Sequence, residues 1–401
     1  MTLGPGDHVV VVGAGLAGWR TCEELRRHGF SGRLTLVGDE AEAPYDRPPL
    51  SKQVLRGKWG VEHTTLATAE KIAQNQVELH LDTAASGLDA ARTTVRLAHG
   101  GVVAGTHVVV ATGARARRTP WYSPGLYELR TRRDAERLVA RLSALSPGDV
   151  VVVIGAGFIG AEVATALHER GLRPVVLESS TRPLLHALGT TVAQWLAPLA
   201  SAAGIELRTE QRIVDVAVGD GGRVEVAFDS GESLSAAAAV VGVGAQPNVE
   251  WLDGSGLLID NGVVVDEHHM AGARVAAVGD VARFPYHGEL ARIEHWQVAT
   301  DHASALARYW TTGDDGAPLV PYFWSDQYGK KIQMLGHPRA DDEVTKVKET
   351  PDGHWLGLYH RAGRVTGLVA LSQPRALMLS RGLLENTTSL TDALARAPWA
   401  T

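Results

Sequence analysis

VVVVIGAGFIGAEVATALHERGLRPVVLES, Val150–Ser179, decides how this 401-residue chain is read. Four valines and an isoleucine run into Gly155, Gly157 and Gly160. A helical pattern follows, and a second apolar run ends at Glu178. That order is strand, glycine turn, helix, strand. The same device occurs earlier, at His8–Asp39: HVVVVGAGLAGWRTCEELRRHGFSGRLTLVGD, with Gly13, Gly15 and Gly18 at the turn. In such a turn the first glycine makes the tight bend and the second lets backbone approach a pyrophosphate. The third lets the helix pack on its strand. The helix N-terminus then offers unpaired N–H groups to the phosphates. An acidic residue after the next strand can take ribose hydroxyls; here Asp39 and Glu178 stand there. One such turn is weak evidence, but two, each after a valine-rich strand, imply two dinucleotide sites.

Composition narrows the classes. Charged residues are 21% and hydrophobic ones 45%, ordinary for a globular chain. A formal net charge of −6 argues against a broad nucleic-acid surface. The chain has one cysteine, Cys22, so neither an internal disulfide nor a C-x-x-C redox pair is available. Cys22 falls in the first helix and reads as a small packing residue. The longest apolar candidate, Leu234–Ala245, is too short to span a bilayer, and the expected location is cytoplasmic. The sixteen histidines are scattered, with no metal-ligand spacing among them, so no metal is expected; His268–His269 reads as a turn.

Outside the two glycine units, several stretches stand out. Pro44–Lys52, PYDRPPLSK, has too many prolines for a helix interior or central strand. It reads as a stiff loop carrying Arg47 and Lys52. His107–Val110 reads as a buried strand ending in ATGARARR, Ala111–Arg118. VAAVGDVA, Val275–Ala282, places Asp280 after a strand. RIEHWQVATDHA, Arg292–Ala303, opens a helix, and PYFWSDQYGKKIQMLG, Pro321–Gly336, opens a β-rich C-terminal region.

With these stretches the chain resembles, over nearly its whole length, the NAD(P)H-dependent ferredoxin reductases of the putidaredoxin and rubredoxin reductase kind. The resemblance implies an α/β fold with two Rossmann-like dinucleotide-binding domains and a small α+β C-terminal domain. The FAD-binding domain would be discontinuous, 1–118 and 246–320, with an NAD-binding domain at 119–245 and the last domain at 321–401. It implies an enzyme that passes electrons from NADH through FAD to a [2Fe–2S] ferredoxin. That ferredoxin would serve an oxygenase such as a cytochrome P-450 or ring-hydroxylating dioxygenase. No nucleic-acid or membrane partner is expected, and a monomer is.

Site residues carry over by position. FAD contacts are expected from Gly13, Gly15 and Gly18, from Asp39 and Glu40 at the adenosine ribose, from Arg47 and Lys52, and from backbone at Ala84. The ATG turn, Ala111, Thr112 and Gly113, would add a second contact point, and Arg117 a phosphate or isoalloxazine contact. Asp280 would meet the ribityl hydroxyls, His295 and Trp296 the pyrimidine end, and Trp324 the flavin edge. NAD contacts are expected from Gly155, Gly157, Gly160 and Glu178, from Glu162 at the nicotinamide carboxamide, and from backbone at Val243 and Gly244.

Lys52 and Glu162 would flank the hydride path, with Glu162 facing outward from its helix and an ion pair between the two residues joining two domains. Glu178 favours NADH, because a carboxylate repels a 2′-phosphate; Arg173 and Arg182 are the residues that would favour NADPH. Two other readings compete. One is a related flavin enzyme with another acceptor, such as rubredoxin, nitrite reductase or oxygen. The other is a non-enzymatic redox sensor like apoptosis-inducing factor.

Overall fold

The computed structural model describes residues 2–400 apart from 315 and 317. The chain forms two compact units. One is Met1–Asp46, Thr64–Arg115 and Ala245–Pro321; the other is Arg47–His63, Ala116–Gly244 and Tyr322–Thr401.

The first unit is built on a six-stranded sheet. Its order is Met270–Gly272, Val275–Ala277, His107–Val110, His8–Val12, Arg33–Val37, Val77–His80. All neighbours are parallel except the first pair. His8–Val12 is buried on both faces, Val9 and Val11 among helix residues such as Trp19 and Leu306 and Val10 and Val12 among strand residues such as Leu88 and Val95, so it reads as an unbroken valine run rather than an alternating one. Register aligns the strand ends: Val12 pairs with Val37 and Val110, and Val110 with Ala277. Gly13, Gly38, Ala111 and Val278 therefore leave the sheet along one carboxyl edge. The chain adds Arg33–Val37 on one side of His8–Val12 and returns to add His107–Val110 on the other. That reversal of order is where open α/β sheets bind ligands. An antiparallel meander, Ala85–Asp89, Thr94–Leu97 and Val102–Ala104, completes this half with the helix Trp296–Thr312.

The second unit repeats the plan. Val150–Ile154 lies between Arg173–Leu177 and Ala238–Val241, with Glu206–Arg208 at the edge, all parallel. A second meander follows, Ile213–Val218, Val224–Phe228 and Ser233–Ala236. The C-terminal region adds a five-stranded antiparallel sheet, in the order Tyr322–Gln327, Lys330–Gly336, Arg364–Leu371, Trp355–Arg361, Glu343–Glu349. This sheet belongs to the same compact unit as 116–244.

Three local expectations change. The proline-rich stretch is not loop throughout: Leu50–Val54 is a helical turn, entered through Pro49, and Lys52 sits on it. Proline at a helix entrance loses nothing, since the N–H it lacks would have been unpaired there anyway. The segment 47–63 packs in the second unit, because Leu55 is buried with Leu138, Val163 and Leu167 and its carbonyl accepts from Arg170. The helix expected over 182–199 spans Leu185–Leu196 and breaks at Gly189, where φ is +75°. There the backbone runs against the Ala340 carbonyl, and any side chain would collide with it.

Candidate functional site

The two glycine turns have the same steric plan. Gly13 and Gly155 take φ of +118° and +103°, which only glycine adopts readily. A Cβ on Gly13 would collide with the Ala111 carbonyl, and one on Gly155 with the Gly242 carbonyl. A Cβ on Gly18 or Gly160 would overlap the carbonyl oxygen of the first glycine in its own turn. Gly15 and Gly157 differ from these: a Cβ on either meets nothing within 4 Å. So the first and third glycines are required by the fold, whereas the second keeps a space clear. Each helix, Leu16–Arg27 and Phe158–Glu169, starts beside that space with no side-chain cap and no acidic residue in its first turn. A clear space facing uncapped N–H groups fits a pyrophosphate, so the residues present fit one dinucleotide in each unit.

In the first unit the predicted FAD residues line the carboxyl edge. Asp39 is exposed, and Glu40 accepts from the Tyr45 hydroxyl at 2.5 Å. The backbone beside Ala84 is pinned to the same place, with Asp82 N–H donating to the Glu40 carbonyl and Thr83 N–H to the Gly38 carbonyl. The Ala111–Gly113 turn is held by a residue that sequence reasoning missed, Asn248. Its Nδ2 donates to the Thr112 carbonyl (2.9 Å), and its own carbonyl accepts from Thr112 Oγ1 (2.8 Å). Asp280 lies in a short 3-10 turn, Gly279–Val281, just past the aligned strand ends. His295 is the N-cap of Trp296–Thr312, and Trp296 Nε1 donates to Asp46 Oδ1 at 2.7 Å, another partner not foreseen.

In the second unit Glu178 is committed to the glycine turn. Its Oε2 accepts from Ala156 N–H (2.9 Å) and its Oε1 from Ser180 N–H (2.8 Å). Arg173, one of the two arginines that would favour NADPH, is paired with Glu206 at 3.0 Å. The Gly244 carbonyl accepts from Arg117 N–H, so these two predicted residues are neighbours, with Val243 beside them. Arg47 Nη1 donates to the Arg130 carbonyl (2.6 Å).

A dense polar cluster surrounds Glu162. This residue was expected to face outward, but it is 3% exposed. Its Oε2 accepts from Lys52 Nζ (2.8 Å) and Ser51 Oγ (2.6 Å); its Oε1 accepts from Ser325 Oγ (2.7 Å) and Asp326 N–H (3.3 Å). A carboxylate has about four acceptor positions, and all are used. The Lys52–Glu162 pair exists, and both partners lie in the second unit. Glu162 is buried because two segments cover its helix: the turn Leu50–Val54 and the edge strand Tyr322–Gln327. Trp324 lies on that strand, stacked on Tyr322 with ring centroids 5.8 Å apart. Ser51 and Ser325 were passed over, although both stand inside stretches that drew attention for their neighbours.

Cys22 is fully buried, and burial pushes its thiol up to about 12, so it offers no thiolate at neutral pH. Among the described residues, no group of three or more His, Cys, Asp or Glu is placed to hold a metal, and no helix is long and apolar enough to cross a membrane.

Comparison with known proteins gives a consistent result. Residues 7–303 match the pyridine nucleotide-disulphide oxidoreductase family, and residues 322–399 match a reductase C-terminal family. Rhodocoxin reductase of Rhodococcus erythropolis is 35% identical, over 96% of this chain and 90% of its own. The ferredoxin–NAD(+) reductase subunit of the benzene 1,2-dioxygenase system of Pseudomonas putida is 32% identical, over 94% and 92%. The crystal structure of a covalent putidaredoxin reductase–putidaredoxin complex matches with a TM-score of 0.91 at 28% identity, covering 99% of this chain and 100% of that one.

Proposed function

The chain belongs to the pyridine nucleotide-disulphide oxidoreductase family, and from that premise we propose that it is an FAD-dependent NADH:ferredoxin oxidoreductase. Its partner is a [2Fe–2S] ferredoxin serving an oxygenase, a cytochrome P-450 or a ring-hydroxylating dioxygenase. One observation carries this reading. The chain keeps two dinucleotide spaces clear, one in each unit, and its single cysteine is buried. Electrons cannot leave through a dithiol, so they leave to an external carrier. Relatives named as ferredoxin reductases support the choice of carrier.

When bound, FAD supplies chemistry that no side chain has, taking electrons in pairs from a nicotinamide and releasing them singly. The chain's own residues bind and orient. The first unit holds FAD through the Gly13–Gly18 turn, Asp39, Glu40, the backbone at Ala84, the Ala111–Gly113 turn, Asp280, His295 and Trp296. Arg47, Lys52, Arg117 and Trp324 complete the set of residues proposed for FAD. NADH is held by the Gly155–Gly160 turn, Glu178, and backbone at Val243 and Gly244. Glu162 acts mainly through Lys52: with its acceptor positions filled, it fixes the side-chain nitrogen in place. Glu178, anchored to the turn, presents a negative charge where a 2′-phosphate would lie, which favours NADH over NADPH. We place the protein in the cytoplasm, as a monomer.

The test is NADH-driven cytochrome c reduction by the purified flavoprotein, with and without a [2Fe–2S] ferredoxin. Strong dependence on the ferredoxin is expected. Equal rates without it would remove the ferredoxin from the proposal. Running the assay with both coenzymes checks the second claim, which an NADPH preference in kcat/KM would overturn.

A further inference from the structure

We propose that His302, with His269 beside it, is the positioning residue for the turn that carries Asp280. This rests on the reading of Asp280 as an FAD residue and adds to it the group that aims it.

The strand Val275–Ala277 leads into Gly279, whose φ is +72°. A Cβ there would lie 2.7 Å from Ala17 Cβ, on the first glycine-turn helix, and 3.7 Å from Ala299 Cβ, on the helix Trp296–Thr312. The turn is thus pinched between the two helices that flank the FAD space. A left-handed residue turns its N–H out of the sheet, where no strand can pair it, and a buried N–H left unpaired is costly. Here that N–H donates to His302 Nδ1, at 3.3 Å. Two residues earlier, Ala277 N–H donates to the carbonyl of His269 (3.0 Å). His269 is itself left-handed, at φ +64°. The two imidazoles lie with centroids 4.2 Å apart, and Phe284 meets His302 edge-on at 4.5 Å. Two buried histidines therefore bracket the backbone that ends at Asp280.

A helix interior packed among apolar side chains has no general use for an imidazole at position 302; a leucine would fill that space. What a leucine lacks is an acceptor. Accepting through Nδ1 makes the ring neutral, with its proton on Nε2. Burial, which holds His302 well below the ordinary histidine range, agrees with that state. The bond fixes Gly279, and Gly279 sets the direction in which the next residue, Asp280, projects.

Packing and positioning make different demands on a substitution. Packing needs volume, whereas positioning needs an acceptor where Nδ1 stands. The Asn side-chain oxygen falls near that atom; the Gln oxygen falls near Nε2 instead. The experiment is release of FAD from the purified holoenzyme, followed by flavin fluorescence, together with the visible spectrum of the bound flavin. His302→Gln and His302→Leu should bind FAD about tenfold more weakly and shift the spectrum, while His302→Asn stays within about threefold of the parent. Asn and Gln variants that behave alike would overturn the proposal, as would an Asn variant that fails to fold or bind. Asp280→Asn serves as the control on the underlying reading. If it binds FAD as tightly as the parent, the role of Asp280 is wrong. If it weakens FAD while all three His302 variants do not, only the role of His302 is wrong.

Discussion

The two glycine-turn helices begin alike and end up in different surroundings. Leu16–Arg27 buries one face, Ala17, Trp19, Cys22 and Leu25 among them, and leaves charges on the other. Its cover is another helix, Trp296–Thr312, which meets it through Ala299, Leu306, Ala307 and Trp310. Phe158–Glu169 is buried from Gly160 through Leu167 without a break. Its extra cover is the edge strand of the C-terminal sheet. The difference is one of hydrogen bonding. A helix has spent its own backbone groups, so its cover can be wholly apolar. A strand edge has N–H groups still to satisfy. One of them and one from the turn that follows the strand donate into the helix it covers: Asp326 N–H to Glu162, and Tyr328 N–H to Thr165 Oγ1 at 2.8 Å. Glu162 and Thr165 are three apart and so share a helix face. The same nucleotide-binding element therefore carries a buried carboxylate in one copy and none in the other, because of what lies on top of it.

The largest way to break this comparison is Glu162→Ala. It would leave a buried ammonium, two hydroxyls and an N–H without their acceptor, a loss of about 3–5 kcal/mol for removing one partner of a buried pair. Calorimetry should show the second unit melting early, and stopped-flow should show slower flavin reduction. A variant that melts and reacts like the parent would mean that the cluster is incidental.

Acid should separate the units next. Burial holds His269 down at about 4, below the ordinary histidine value, and His302 shifts in the same direction. The unfolded chain takes up protons below pH ~6.5, and the folded chain declines them until about pH 4. Stability is therefore full above pH ~6.5 and is lost as pH falls through that window, by roughly 3 kcal/mol for His269 alone. Thermal melts between pH 7.5 and 5 check this. His269→Asn, which tolerates the left-handed backbone, should flatten the slope.

The steric likeness of the two turns gives a sharper test. Gly15→Ala and Gly157→Ala should fold normally, because their Cβ atoms enter open space, yet each should weaken its own ligand by about ten- to a hundredfold. Gly15→Ala should affect FAD, and Gly157→Ala should affect NADH. Titrations in which each variant weakens both ligands, or neither, would end the assignment of one dinucleotide to each unit. The smallest effect is Thr165→Val, which removes the acceptor of the Tyr328 N–H and should cost about 1–2 kcal/mol. Equilibrium denaturation would register it; no loss would show that the Tyr328 N–H finds water instead.

How far these features can be read from the chain varies by residue. The bounds of His8–Val12 and Arg33–Val37 follow from short apolar runs ended by glycine. The proline stretch could be recognised as rigid, yet its helical turn and its membership of the second unit could not, since both depend on where Leu55 is buried. Lys52 and Glu162 could each be picked out, but Ser325, 163 residues from Glu162, has no local pattern to mark it. Asn248 and His302 are likewise ordinary residues in sequence.

What the sequence determined by itself is whatever lies within about thirty residues: two strand–glycine–helix–strand units, the dinucleotide chemistry they allow, and the exclusion of a dithiol by a single cysteine. These depend on local dihedrals and periodicity, which the order of residues encodes directly. Tertiary structure decided which polar groups are buried and by whom they are satisfied. A buried hydrogen bond is made between groups distant in the chain, and its donor and acceptor meet only after the layers have packed.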